Sequence, residues 1–116
     1  MKFYTYIYYD PTKSSDLTDN GLEPFYVGKG QGERLVDHIK ETNLNKDRNT
    51  HKGNKIKKLI TNGTPPVIEI YEYFDNEEDA FTSEITLIRR FGRADKKLGP
   101  LTNRTDGGEG GVSRVS

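Results

Sequence analysis

The stretch that decides the fold is YTYIYY at residues 4–9, taken together with FYVGKG at residues 25–30. Tyrosine, phenylalanine and β-branched residues favour strands. The first stretch predicts a strand over residues 2–9, and the second predicts a shorter strand over residues 25–28. The two are expected to pair as a hairpin.

Turn-forming residues bound these two strands. Asp10-Pro11 predicts the end of the first, and the polar residues 11–23 predict a loop. Gly28, Gly30 and Gly32 predict a turn in which the backbone can approach a ligand.

The rest of the chain predicts three helices and one strand, so the element order is β-β-α-α-β-α. The predicted elements are helices over residues 33–40 and 52–62, a strand over residues 67–74, and a last helix that runs to about residue 91. Asp75 or Asn76 is expected to cap the last helix and Gly92 to end it. We expect one domain over residues 1–105 and a Gly-rich flexible tail over residues 106–116.

Composition limits the classes of function. The chain has 116 residues, 31% hydrophobic and 31% charged, which predicts a small core and a highly charged surface. The absence of cysteine excludes disulfides, thiolate nucleophiles and Cys-type zinc sites. The sequence contains neither a long apolar run nor a basic-then-apolar leader, so we expect no membrane association and a cytoplasmic location.

Charge is balanced overall but unevenly distributed. Lys+Arg and Asp+Glu both number 18, yet residues 46–58 and 89–97 are strongly basic. The first cluster includes Lys55, Lys57 and Lys58. Such clusters fit a surface that contacts nucleic acid, and they equally fit two solvated helix faces.

Glu84 is the sharpest single candidate. Apolar residues recur at helical spacing along the last helix, and Glu84 falls near the middle of that face. A carboxylate there is costly unless it is paired or binds a cation. The alternatives are a structural ion pair, a helix turned to expose it, and a metal ligand. Mg²⁺ suits a lone carboxylate that shares the ion with water and a phosphate.

Four other candidate residues carry polar chemistry. Arg34 and His38 lie four residues apart on one predicted helix, so their side chains are neighbours. Arginine can bind a phosphate with two hydrogen bonds, and histidine can relay a proton near neutral pH. Tyr6 and Tyr8 share one strand face, as ordinary half-buried tyrosines also do. A tyrosine acts as a base only if a neighbouring group stabilises its charge.

In order, these motifs resemble the catalytic domain of the GIY-YIG nucleases over residues 2 to about 110. Tyr4-Thr5-Tyr6 stands at the first motif and Tyr26-Val27-Gly28 at the second, and Arg34, His38, Glu84 and Asn103 follow in the family's order. The first motif keeps only its tyrosine. We place it at Tyr6, four residues before Asp10, with Tyr8 as the alternative. FYVGKG and LTNRTDGGEG (residues 101–110) resemble the phage and bacterial homing-type branch.

The resemblance implies an α+β fold with a small three-stranded antiparallel sheet flanked by helices. It also implies a DNA endonuclease that uses one divalent ion per site, Mg²⁺ or Mn²⁺. Glu84 would hold the metal and Arg34 would stabilise the phosphate. Tyr6 would activate water while His38 relays its proton, and Tyr26 would support the site.

Lys29 would contact the phosphate, and Asn103 would brace the pocket or the DNA. Lys55, Lys57 and Lys58 are expected along the DNA path. No recognition module follows the domain within these residues, so we expect a homodimer or a separate DNA-recognition partner. The setting implied is a bacterial or phage-infected cell. The rival functions are a catalytically silent nucleic-acid-binding module of the same fold and a protein-interaction domain.

Overall fold

A three-stranded antiparallel sheet forms the centre of the fold. The computed structural model describes residues 2–31 and 50–107. Its strands are β1 (Phe3–Ser14), β2 (Leu22–Gly30) and β3 (Val67–Phe74), in the order β2-β1-β3. Its helices are α1 (Thr50–Thr61) and α2 (Glu77–Phe91), followed by a short 3₁₀ turn at Ala94–Lys96. The predicted α+β fold with a three-stranded antiparallel sheet is confirmed.

The two faces of the sheet carry different side chains, because successive residues of a strand point to opposite sides. The tyrosine face of β1 carries Tyr4, Tyr6 and Tyr8, which pack with Ile56 and Leu59 of α1. The opposite face packs against α2, and its core contains Ile7, Tyr9, Val27, Leu87, Ile88, Phe91 and Leu101. Each helix therefore covers one face of the same three-stranded sheet.

The first hairpin is longer than predicted. β1 continues through Asp10-Pro11 to Ser14, and β2 begins at Leu22 instead of Phe25. Pro11 is tolerated because β3 pairs with β1 only as far as Tyr9, so no ladder hydrogen bond to β3 is lost there. The pairing with β2 shifts register between Asp10 and Ser14, which absorbs the irregular backbone.

Gly28 and Gly30 lie inside β2, so the predicted turn at these two residues is wrong. They pair with Tyr6 and Tyr4 respectively. A Cβ atom at Gly28 would stand 2.3 Å from the Tyr6 hydroxyl oxygen and Cζ. Glycine is needed here because an aromatic ring lies across the strand, so the reason is packing and not a turn.

The remaining boundaries agree closely with the sequence patterns. β3 spans the predicted residues 67–74, and α1 runs two residues earlier at its start than predicted. Asn76 caps α2, its side-chain oxygen accepting a hydrogen bond from the Asp79 amide at 2.8 Å. Gly92 ends the helix with φ 91°, a conformation that favours glycine.

Some predictions fall outside the described residues. The helix over residues 33–40 lies there, as does Gly32. So does most of the predicted tail, of which Asp106 and Gly107 are described. The domain division at residue 105 stays a prediction. In the parts of the chain that the structure describes, no helix is long and apolar enough to cross a membrane.

Candidate active site

The tyrosines of the two motifs meet on the tyrosine face. The ring centroids of Tyr6 and Tyr26 are 6.4 Å apart, and those of Tyr8 and Tyr26 are 6.0 Å apart. Tyr6 is 1% exposed, whereas Tyr26 is only partly buried. Tyr6 lies against Gly28 of the second motif, and Tyr8 pairs directly opposite Tyr26. The strand pairing alone therefore brings the two predicted motifs together.

Glu84 lies half-buried on α2, which packs on the opposite face. Residues 77, 81, 84 and 88 follow one stripe of this helix. At its start Glu77 bonds to Lys29 of β2, and at its end Ile88 shares a core with Val27 of β2. This stripe places Glu84 on the side of α2 that faces β2. The tyrosine rings thus lie on one side of the edge strand β2, and Glu84 lies on the other side.

Glu84 is the carboxylate that the resemblance assigns to the metal ion. Within residues 2–31 and 50–107, no group of three or more His, Cys, Asp or Glu residues could hold a metal ion alone. A single hard carboxylate leaves the other positions to water and a substrate phosphate. Mg²⁺ commonly binds in this way, so the residue fits the ion that the resemblance implies.

Lys29 forms an ion pair with α2, and its expected contact with the phosphate stays a prediction. Its Nζ atom lies 2.7 Å from a Glu77 carboxylate oxygen and 4.4 Å from the centroid of the Phe81 ring. Both partners belong to α2, so the Lys29 ammonium points away from the tyrosine face. Because this pair joins residues 48 positions apart, the sequence carries no local signal for it.

Asn103 braces β2 directly. Its side-chain oxygen accepts a hydrogen bond from the Val27 amide at 3.0 Å, and its Nδ2 donates to the Val27 carbonyl at 2.8 Å. Neighbouring Thr102 donates its backbone N–H and its hydroxyl to the Phe25 carbonyl. Asn103 thereby supports the strand that carries the second motif, and its role at the pocket or the DNA stays a prediction.

A buried arginine holds the segment that carries Asn103. Arg93 bonds to both carboxylate oxygens of Asp95, to the Asp106 carboxylate and to the Arg104 carbonyl. Because Arg93 belongs to the basic cluster at residues 89–97, its charge is compensated instead of being available to DNA. Arg89 and Arg90 of that cluster are exposed.

The three lysines predicted on α1 divide into two kinds. Lys57 and Lys58 are exposed, as a DNA-contacting surface requires. Lys55 instead lies 2.6 Å from the Asp10 carboxylate, whose side chain is 2% exposed. Burial would raise the pKa of Asp10, but hydrogen bonds from Lys55 and Thr12 outweigh it and hold that pKa below its usual value. Lys55 therefore connects α1 to β1.

One residue of this site was missed by the sequence patterns. Lys52 is only 5% exposed, and its Nζ atom lies 4.5 Å from the centroid of the Tyr26 ring. In the sequence it is hidden within a run of surface lysines. Its spacing was the available signal, since it precedes the buried Ile56 by four residues and Leu59 by seven. Arg34 and His38 lie outside the described residues.

The fold and the paired tyrosine motifs together define a small α+β domain of the nuclease type. The chain belongs to the GIY-YIG family: it matches the family model of the LEM-3-like GIY-YIG domain over residues 3–114. No curated protein and no solved structure matches it. The predicted family is confirmed, and a nuclease domain implies DNA as its substrate. The homing-type branch stays a prediction.

Proposed function

We propose that the chain is a divalent-metal-dependent DNA endonuclease that hydrolyses phosphodiester bonds by a one-metal mechanism. The observation that carries the proposal is the contact between the motif tyrosines. The Tyr6 ring lies across Gly28 and beside Tyr26, and glycine is required there for the ring to fit. This contact brings together the tyrosines of the two motifs that characterise the family to which the chain belongs.

Each side chain has a distinct role in the proposal. Glu84 would hold the ion from the α2 side of β2. When bound, Mg²⁺ or Mn²⁺ supplies a positive charge that polarises the scissile phosphate. Arg34 would offset the negative charge that develops on the phosphate oxygens, because a guanidinium offers two parallel N–H donors.

Tyr6 would take the proton of the attacking water while its own hydroxyl proton passes to His38. The water oxygen would bond to phosphorus as the bond between phosphorus and the 3′ oxygen breaks. The 3′ oxygen would take a proton from solvent, which gives 5′-phosphate and 3′-hydroxyl ends. Tyr26 would hold the Tyr6 ring in position by its aromatic contact. Asn103 would keep the Tyr26-Val27-Gly28 strand in place through its two hydrogen bonds to Val27.

The direct test is cleavage of supercoiled plasmid with and without Mg²⁺, comparing the parent with Glu84→Ala. Glu78→Ala is the matched control, because Glu78 is an exposed carboxylate on the same helix. We expect the parent and Glu78→Ala to nick plasmid in Mg²⁺, and Glu84→Ala to bind DNA without cutting it. A parent chain that binds DNA but never cuts would instead be the catalytically silent module.

The source of DNA selectivity is part of the same proposal. A second copy of the chain, or a separate DNA-recognition protein, would choose the target, in the cytoplasm of a bacterial or phage-infected cell. Light scattering of the purified chain with and without a DNA duplex distinguishes the two. A dimer that forms on DNA supports the first, and a monomer that nicks DNA without sequence preference supports the second.

A further inference from the structure

A lysine is buried where helix geometry calls for an apolar residue. Lys52 shares the inward stripe of α1 with Ile56 and Leu59, and it is 5% exposed. Lys57 and Lys58 on the same helix are exposed. Lysine is almost never this buried unless its charge is compensated or used.

The position is unfavourable to a cation for two reasons. Residue 52 lies in the first turn of α1, which begins at Thr50, and the positive end of the helix dipole disfavours a cation there. Removal of an ammonium from water adds a desolvation cost. A methionine would fill the same stripe without either cost, so packing alone does not explain a lysine at this position.

The contact of Lys52 connects it to the motif tyrosines. Its Nζ atom lies 4.5 Å from the centroid of the Tyr26 ring, within the range of a cation–π interaction. The Tyr26 ring in turn contacts Tyr6 and Tyr8. Lys29, the lysine expected at the phosphate, has its ammonium on the α2 side of the sheet, where Glu84 also lies, whereas the Lys52 ammonium lies at the tyrosine pair.

We propose that Lys52 is a positioning residue of the nuclease site, acting through Tyr26. Its ammonium fixes the Tyr26 ring, and its charge favours the negative charge that develops near the tyrosine pair during hydrolysis. This inference rests on the proposed nuclease function. It adds Lys52 of α1 to the tyrosines of β1 and β2.

The test compares Lys52→Met with Lys52→Arg. Methionine keeps the length and the apolar stem but removes the charge, whereas arginine keeps the charge and the ability to lie on an aromatic ring. Lys13→Met is the control, because Lys13 is an exposed lysine at the far end of β1. The readouts are kcat and KM for plasmid nicking in Mg²⁺, together with the melting temperature.

We expect Lys52→Met to lower kcat about 30-fold, the rate equivalent of a desolvated cation–π contact, with KM within about twofold. The melting temperature is measured alongside and shows that the variant is folded. Lys52→Arg should recover most of the rate, and Lys13→Met should match the parent.

Results that contradict the inference can be distinguished from results that contradict the nuclease function. If the parent cuts and a folded Lys52→Met cuts equally fast, the inference is overturned and the nuclease function stands. If KM rises while kcat is unchanged, Lys52 merely binds DNA and the positioning role is likewise overturned. If the parent itself never cuts in Mg²⁺ or Mn²⁺, the nuclease function fails and the inference fails with it.

Discussion

The two faces of the sheet use tyrosine in opposite ways. On the tyrosine face, Tyr6 lies on a strand glycine and contacts Tyr26, whose ring has a lysine above it. On the opposite face, the Tyr9 hydroxyl donates to a Glu69 carboxylate oxygen at 2.9 Å. Burial first, and then the hydrogen bond and charge of Glu69, raise the pKa of Tyr9 well above its usual value.

The contrast shows how a structural tyrosine differs in this fold from a tyrosine placed to take part in the reaction. Both tyrosines are almost fully buried on the same strand, so burial does not distinguish them. Their neighbours do. A carboxylate next to Tyr9 opposes loss of its proton, whereas a cation next to the Tyr6–Tyr26 pair favours negative charge there.

The largest expected effect separates these two tyrosines. Tyr6→Phe should slow plasmid nicking by roughly 10²- to 10⁴-fold, the usual range for loss of a proton-transfer group. Tyr9→Phe removes the same atom from the opposite face and should leave the rate near that of the parent. Single-turnover rates with saturating protein give both values. Equal losses in the two variants would mean that neither hydroxyl performs chemistry.

A smaller effect is expected at Gly28, where the Tyr6 ring lies across β2. Gly28→Ala should cost about 3 kcal/mol of unfolding free energy, because its Cβ would meet the Tyr6 ring, and it should also slow cleavage. Val27→Ala, one residue away and facing the α2 side, should destabilise the fold without changing kcat. Urea unfolding measures the change in unfolding free energy, and plasmid nicking measures the change in rate. A Gly28→Ala chain that cuts normally would show that the position of the Tyr6 ring is unimportant for the reaction.

The next effect concerns the ion pair that attaches α1 to β1. Lys55→Met should cost about 2 kcal/mol at neutral pH by leaving the Asp10 carboxylate buried without its cation. Because the folded pKa of Asp10 is lowered, the pair stabilises the fold above the unfolded value of about 3.9 and loses this contribution as pH falls below it.

The gap in stability between parent and Lys55→Met should therefore narrow in acid. Thermal unfolding across pH 2–7 in steps of about one unit (a window around the unfolded pKa) measures it. Lys58→Met, an exposed lysine on the same helix, should show no such gap. A gap that stays constant with pH would place the cost of Lys55→Met in packing instead of charge.

The smallest effect is expected at the exposed side of α1. Lys58→Glu should weaken DNA binding for all sequences alike and reduce the slope of log K against log salt by about one, as loss of one phosphate contact does. Lys13→Glu supplies the comparison away from α1. Titration of a fluorescent duplex at several salt concentrations suffices. An unchanged slope for Lys58→Glu would identify that side of the helix as a solvated surface.

Local patterns in the sequence were enough for most of the framework. The alternation of Tyr4, Tyr6 and Tyr8 predicted a strand with one tyrosine face, and Asn76 and Gly92 correctly bounded α2. The end of β1 was misplaced because Asp10-Pro11 is a strong turn signal. In the structure β1 nevertheless continues past Asp10, because this residue is buried and pairs with Lys55, 45 positions along the chain.

The site was less predictable than the fold for the same reason. The partners of Lys29, Lys55 and Asn103 are distant in sequence, so no local pattern reveals whether each side chain faces DNA or the protein. Gly28 looked like a turn residue because its real constraint, the Tyr6 ring, comes from another strand. Lys52 was obscured by neighbouring lysines, although its helical spacing pointed inward.

The bonds from Thr102 and Asn103 to β2 also have a consequence for assembly. An incoming strand that tried to extend the sheet beyond β2 would find the Phe25 carbonyl and both polar backbone groups of Val27 already occupied. That side of the sheet is closed to strand addition at its middle. Any growth by edge-to-edge pairing in the described part of the chain is thereby directed to β3, the other edge of the sheet.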